Sequence, residues 1–398
     1  MSDVHLANIL ADGYESFCKR YGDSAGNHKV VRAITSCRTE ILGGHEYECP
    51  DCHTHVSLYN SCGNRHCPKC QALARRDWVE SRKDELLPVP YFHVVFTIPS
   101  ELNPFALRNK KAFYSIMFRS LNETMQELGA TSRFLGGSIG IIAVLHTWGQ
   151  NLFDHPHIHC IVPAGGLSRD GKKWLSCKNF FLFPFDVMKK LFCAKVLDYF
   201  KQGVKDGSIL LCGNLSEYTN TVTFRIFIDK MYKAKWVIFA KQSFANPLRV
   251  IEYLGNYTHR VAITESRLVK HDPGSVSFMY KDYADDCKKK CMTIDTVEFI
   301  RRFLLHVLPT GFMRIRHYGF LSNSKRKKGL AHCAGIFATL RQKRIAAQNK
   351  IRKPWNIRVK EQTGYDPLLC KKCGKAVMLL IGEIMPKQGK AFACLEGT

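Results

Sequence analysis

The chain has 398 residues, enough for two or three domains with sizeable cores. Its 59 Lys and Arg against 34 Asp and Glu leave a formal net charge of +25, which favours an anionic polymer or surface as partner. No apolar run approaches the ~20 residues of a membrane span, the mixed, acidic N-terminus is not a secretory signal, and 17 cysteines, mostly in CxxC pairs or singly in apolar strands, suit a reducing cytoplasm better than a disulfide framework.

Residues 1–36 read as helix, with Leu6, Ile9-Leu10, Tyr14, Phe17 and Tyr21 at helical spacing. A cysteine-rich segment follows. Cys49-x2-Cys52 and Cys67-x2-Cys70 are two knuckles separated by 14 residues, close to zinc-ribbon spacing. Four thiolates so spaced close a tetrahedral shell and supply folding energy to a module too small for its own core, so these four are expected to share one structural zinc. Cys37, His45, His53, His55, Cys62 and His66 lie nearby; spacing alone does not choose between a second site and free side chains. Helix resumes over QALARRDWVESRKDELL, where Arg75, Arg76 and Arg82 either meet phosphates or form a solvated face.

Pro88 and Pro90 mark a boundary, after which strands and helices mix. YFHVVFTIP (91–99) has the look of a buried strand, 104–128 of a long helix, and SIGIIAVLHTW (138–148) of a second strand ending in His146. The third strand opens with HPHIH. On a strand, residues i and i+2 share a face, so His157 and His159 project together while Ile158 and Cys160 turn into the core. Two parallel imidazoles on a rigid strand form part of a metal site with open coordination positions. His146, 11 residues before His157, is the preferred third ligand, with His155 the competing choice.

A short strand over 170–180, a helix over FDVMKKLFCAKVLDYFKQGV and a strand over 233–244 come next. In the last, lysines 233, 235 and 241 beside Trp236 and Phe239 suit a groove for single-stranded nucleic acid; an amphipathic edge strand guarded by lysines explains them equally. Pro247 starts a helix that places Tyr253 and Tyr257 at i and i+4, their Cβ atoms roughly 5–6 Å apart. Arg249, His259, Arg260 and Arg267 surround them with positive charge. A tyrosinate attacks phosphodiesters once a nearby cation polarises the phosphate. Beyond this lie a strand pair turning at Asp272-Pro273-Gly274, a helix over 295–309, a basic strand containing Arg314 and Arg316, a basic helix from 322 and a third knuckle, Cys370-x2-Cys373. That knuckle has Cys394 after it and no clear fourth ligand, a half-built zinc ribbon.

The order RHCPKCQ, HPHIHCIVPAGG, KWVIFAKQSF and YLGNYTHRVAIT resembles the rolling-circle insertion-sequence transposases that carry an N-terminal zinc-binding domain and a two-tyrosine HUH nuclease, over residues ~8 to ~320. The resemblance implies an α+β fold, with an antiparallel sheet flanked by helices as the nuclease core and a small cysteine-rich module before it. It divides the chain into 1–88, 89–321 and a basic C-terminal region, 322–398. It implies a transposase that nicks and rejoins single-stranded DNA at element ends through a covalent 5′-phosphotyrosine, leaving a 3′ hydroxyl. By position, His157 and His159 match the family's paired metal ligands for Mg²⁺ or Mn²⁺, and Tyr253 and Tyr257 its two tyrosines; Asn256 stands where relatives often carry arginine. Lys235, Lys241, Arg260, Arg267, Arg314 and Arg316 are the expected DNA contacts, with single-stranded and hairpin DNA as partner in the cytoplasm. A plasmid replication initiator or relaxase would share this chemistry, though no P-loop is present. A zinc-finger regulator without catalysis would leave the histidines and tyrosines unemployed.

Overall fold

The structure is a computed structural model that describes residues 4–83, 85–177, 182–243, 255, 261–282, 285–337 and 354–387. The chain forms two compact units: Met1–Arg76, His259–Val307 and Arg344–Thr398 make one, and Asp77–Thr258 with Leu308–Lys343 the other. The first unit thus draws on three separated stretches of the chain.

In chain order, α1 (Leu6–Tyr21), α2 (Ala25–Thr35), β1 (Gly44–Glu48), β2 (His55–Tyr59) and α3 (Pro68–Lys83) come first. Then follow β3 (Tyr91–Thr97), α4 (Asn103–Arg108), α5 (Lys110–Ala130), β4 (Ser138–Trp148), β5 (Asp154–Pro163), β6 (Gly165–Leu167) and β7 (Trp174–Ser176). The middle of the chain carries α6 (Phe185–Lys205), α7 (Thr221–Lys233), β8 (Val237–Ser243), β9 (Leu268–Asp272), β10 (Ser275–Asp282) and β11 (Lys288–Asp295). Last are α8 (Thr296–Leu305), β12 (Ile315–Gly319), α9 (Arg326–Ile336), α10 (Trp355–Thr363) and β13 (Leu379–Ile384).

The second unit is built on one sheet in the order β7-β6-β4-β5-β3-β8, with β12 also pairing β4. Its pairings are antiparallel throughout. Strands β3, β4 and β5 are nearly continuous apolar runs because both faces of the sheet are covered. On one face Val94, Phe96, Ile141, Ala143, Leu145, Ile158 and Cys160 join the main core with Phe113, Phe118 and Leu121 of α5 and Phe192, Val196 and Phe200 of α6. Each such large side chain contributes about 1.5–3 kcal/mol by leaving water. On the other face, Tyr91, Ile142, Val144 and Ile161 pack with Leu86, Leu87, Val89, Phe320 and Cys333 in a smaller cluster. Ile158 and Cys160 enter the core as their alternation requires, and so the intervening histidines face the other way. The helix expected over 104–128 is broken at Asn109. There the side-chain amide donates to the carbonyls of Phe105 and Leu210, and its oxygen accepts from the Leu210 N–H.

In the first unit, the helix expected through residue 36 is divided at Gly22, whose φ of +73° suits glycine, and restarts where the Ser24 side chain caps the Asn27 N–H. Helix α1 packs on α8. Gly13 makes that approach possible, since a Cβ there would lie 2.6 Å from Thr296 Cγ2. Strands β9 and β10 form the expected hairpin and continue into a three-stranded sheet with β11. A second small sheet has the order β13-β1-β2. Among the described residues, no helix is long and apolar enough to cross a membrane.

Candidate functional site

Strand register brings the histidines together. His146 of β4 pairs with His157 of β5, and Val144 with His159. On the other side Thr97 and Val95 of β3 pair with His157 and His159. Paired residues share a face, and so do residues two apart, so His146, His157 and His159 project from one side. Their ligating nitrogens all lie within 4.8 Å of one another. A register irregularity in β4 just after His146 lets His146 and Trp148 stack, with ring centroids 4.9 Å apart. His155, the competing third ligand, is exposed and outside this group. It contributes through its backbone instead, its carbonyl accepting from His157 Nδ1.

A fourth histidine was not singled out in the sequence. His93 is the lone polar residue in YFHVVF, and its Nε2 lies 2.8 Å from His159 Nδ1, with the two rings stacked 9° from parallel. Burial pushes the His93 pKa down to about 4, so the ring is neutral at ordinary pH. Binding of a cation at His159 Nε2 requires that His159 donate through Nδ1 and that His93 accept, and a neutral His93 permits it. With His157 Nδ1 donating to a carbonyl, the His157 and His159 rings are each oriented through one nitrogen and present the other. Three imidazoles gathered at one point with open positions around it fit the donor set of a divalent transition-type ion.

The cysteines form two clusters, and they correct the expected ligand set. Cys49 and Cys52 do not join Cys67 and Cys70. Cys37, Cys62, Cys67 and Cys70 make one group, and Cys49, Cys52, Cys370 and Cys373 the other, each with its sulfurs within 4.8 Å of one another. The physical reason is the small sheet. The turn between β1 and β2 carries Cys49 and Cys52, and β1 pairs with β13, whose preceding segment carries Cys370 and Cys373. Cys67 and Cys70 instead start α3, beside Cys37 at the end of α2 and Cys62 after β2. Sulfur separations of 3.6–3.7 Å in the first group approach the ~3.8 Å edge of a tetrahedron with 2.3 Å zinc–sulfur bonds. They are far from the ~2.05 Å of a disulfide. Hydrogen bonding from the Cys62 thiol draws the Cys37 pKa down to about 6.

Residues 140–328 match the family described as "Putative transposase", and residues 9–98 match the "Transposase zinc-binding domain" of IS91 type. The chain is 43% identical over 372 residues to "Putative transposase y4qJ" of Sinorhizobium fredii, covering 91% of this chain and 93% of that one. The chain belongs to the IS91-type transposases. It is also 29% identical over 299 residues to the transposase for insertion sequence element IS801 of Pseudomonas savastanoi pv. phaseolicola, covering 74% of this chain and 70% of that protein. No solved structure matches.

In this transposase the zinc-binding match contains the whole Cys37, Cys62, Cys67 and Cys70 cluster, and the "Putative transposase" match contains all three clustered histidines. The tyrosines at 253 and 257 and Arg260 lie outside the described residues, as does the side chain of Lys241. Lys235 is exposed just before β8. Arg267 belongs to the first unit, where its Nε donates to the Met279 carbonyl at 2.7 Å and its guanidinium lies over Phe278. Arg314 is buried, with its carbonyl accepting from the Leu145 N–H. Arg316 pairs with Ala143, which faces the main core, so it emerges opposite the histidines. There it donates to Ser115 Oγ and sits 4.3 Å over the Phe118 ring.

Proposed function

We propose that this transposase nicks and rejoins single-stranded DNA at the ends of a mobile element, in rolling-circle transposition, through a covalent 5′-phosphotyrosine. The observation that carries the proposal is the convergence of His146, His157 and His159 on one face of a rigid sheet. Packing that needs only buried apolar side chains gives no reason for three imidazoles to meet there. A divalent ion held by them supplies Lewis-acid polarisation of the scissile phosphate.

The chain's own residues do the rest. Tyr253 or Tyr257 gives up its phenolic proton, and its oxygen bonds to phosphorus. The bond from phosphorus to the 3′ oxygen breaks, and that oxygen takes a proton to leave a 3′ hydroxyl. Rejoining is the reverse, with a 3′ hydroxyl displacing the phenol. A phenol of ordinary pKa near 10 needs a positive surrounding, which His259, Arg260 and the net charge of +25 offer. His93 and the His155 carbonyl orient the ligand rings. Cys37, Cys62, Cys67 and Cys70 hold a structural zinc in the module that recognises duplex or hairpin DNA at the element end.

The test is a nicking assay on single-stranded element ends with metal-stripped protein. Mn²⁺ restores cleavage at least as well as Mg²⁺, and Tyr253→Phe with Tyr257→Phe together remove it. Cleavage by the double variant, or by metal-free protein, overturns the proposal.

A further inference from the structure

We propose that Cys49, Cys52, Cys370 and Cys373 form a second zinc site, in which the C-terminal knuckle completes the N-terminal module. It does not depend on the nuclease reading above. The two matched family regions stop at residues 98 and 328, so neither reaches Cys370 or Cys373. Cys49 Sγ lies 3.6 Å from Cys373 Sγ, and Cys52 Sγ 3.6 Å from Cys370 Sγ. These are again the edges of a tetrahedron around a zinc-sized centre. Four sulfurs and no carboxylate or imidazole in the group select a thiophilic ion, Zn²⁺, over Mg²⁺ or Ca²⁺.

The backbone is shaped for this joining. β1 pairs with β13 from Gly44↔Ile384 to Glu48↔Leu379. Gly43 has a φ of +63°, and a Cβ on it would sit 2.4 Å from the Ile384 carbonyl oxygen; a Cβ on Gly44 would sit 2.5 Å from the Leu58 carbonyl oxygen. The Gly43-Gly44 pair therefore leaves room for a strand on both sides of β1. Lys387 closes the far end, its Nζ 2.7 Å from Glu40 Oε2. Tyr47, Cys49, Cys370 and Met378 are buried together at the centre. Each knuckle alone offers two thiolates, half of a tetrahedral shell. The halves are 318 residues apart from Cys52 to Cys370, so the site closes only in a chain that has its C-terminal segment. Closing so long a loop also confines the unfolded chain, an effect that grows with loop length.

The measurement is zinc content of the full chain by elemental analysis, compared between variants. Cys49→Ser with Cys52→Ser loses one equivalent of zinc relative to the parent, and Cys370→Ser with Cys373→Ser also loses one. The quadruple variant still loses one. Additive loss, or no loss from the C-terminal pair, overturns the shared site. Because such variants can misfold, the parent protein is also pulsed with a maleimide before and after chelation, and labelled cysteines are mapped by mass spectrometry. Cys49, Cys52, Cys370 and Cys373 are protected as a set and exposed together. Labelling of Cys370 and Cys373 while Cys49 and Cys52 stay protected contradicts the proposal.

Discussion

The histidine face and the cysteine module solve the same problem, gathering potential metal ligands around a point, by opposite means. The histidines stand on adjacent strands of one antiparallel sheet, and the register of two neighbours aligns them. The strands that carry them are fixed by the packed core behind the sheet. The cysteines sit on turns and element ends, and one cluster draws on both ends of the chain. The difference teaches where the free energy of binding a metal would go at each. A preformed site on a packed sheet spends metal binding on chemistry, whereas a site assembled from loops spends it on folding.

That contrast is broken most sharply by crossing the two kinds of mutation. His157→Ala lowers nicking at least about 1000-fold, the loss of several kcal/mol of charge stabilisation, and leaves the melting temperature nearly unchanged. Cys62→Ser does the reverse: it destabilises the first unit by more than about 3 kcal/mol, seen as loss of protection in hydrogen exchange over residues 37–70. Equal melting losses from both would erase the distinction.

A smaller effect is expected at His93. His93→Ala weakens divalent-ion affinity about 10- to 100-fold, as removal of a ligand's hydrogen-bond partner does elsewhere, and titration by calorimetry reads it directly. His93→Gln, which keeps an acceptor, recovers part of the loss. If both variants bind the ion as the parent does, His93 only fills space.

Smaller again is the electrostatic contribution of a single exposed cation. Lys235→Ala lowers affinity for all single-stranded sequences alike and reduces the salt dependence by about 0.7 in log–log slope, one phosphate contact. An unchanged slope makes Lys235 a guard on the β8 edge. The smallest effect is at Glu298, whose carboxyl the adjacent Arg301 and Arg302 hold down near pKa 2. A depressed carboxylate contributes stability fully above about pH 4.5 and loses it as pH falls towards 2. Glu298→Gln therefore costs under about 1 kcal/mol at pH 7, and the gap to the parent closes in acid melts.

What was legible in the sequence follows the same division. The alternation in HPHIHCIV placed His157, His159 and the inward Cys160 correctly, because strand period is local. His146 was reachable because β4 and β5 are joined by a short turn. His93 was not, since its partner lies 66 residues away and only sheet order brings β3 beside β5. The cysteine pairing was misread for the same reason at greater range: spacing made Cys49, Cys52, Cys67 and Cys70 look like one ribbon, while the segment leading into β13 supplies half of one cluster. The basic strand held a further lesson. Arg316 follows Ile315 on the pleat and so turns away from the histidine face, a consequence of register that composition does not carry.

The central claim is that the histidine group directs a tyrosine to DNA. The direct measurement is to incubate the metal-loaded protein with labelled single-stranded element ends, digest, and map the DNA-linked peptide by mass spectrometry, in parallel with His157→Ala. The account predicts a 5′-phosphate adduct on Tyr253 or Tyr257 in the parent and none in the variant. An adduct on any other residue, or one that forms equally in His157→Ala, contradicts it.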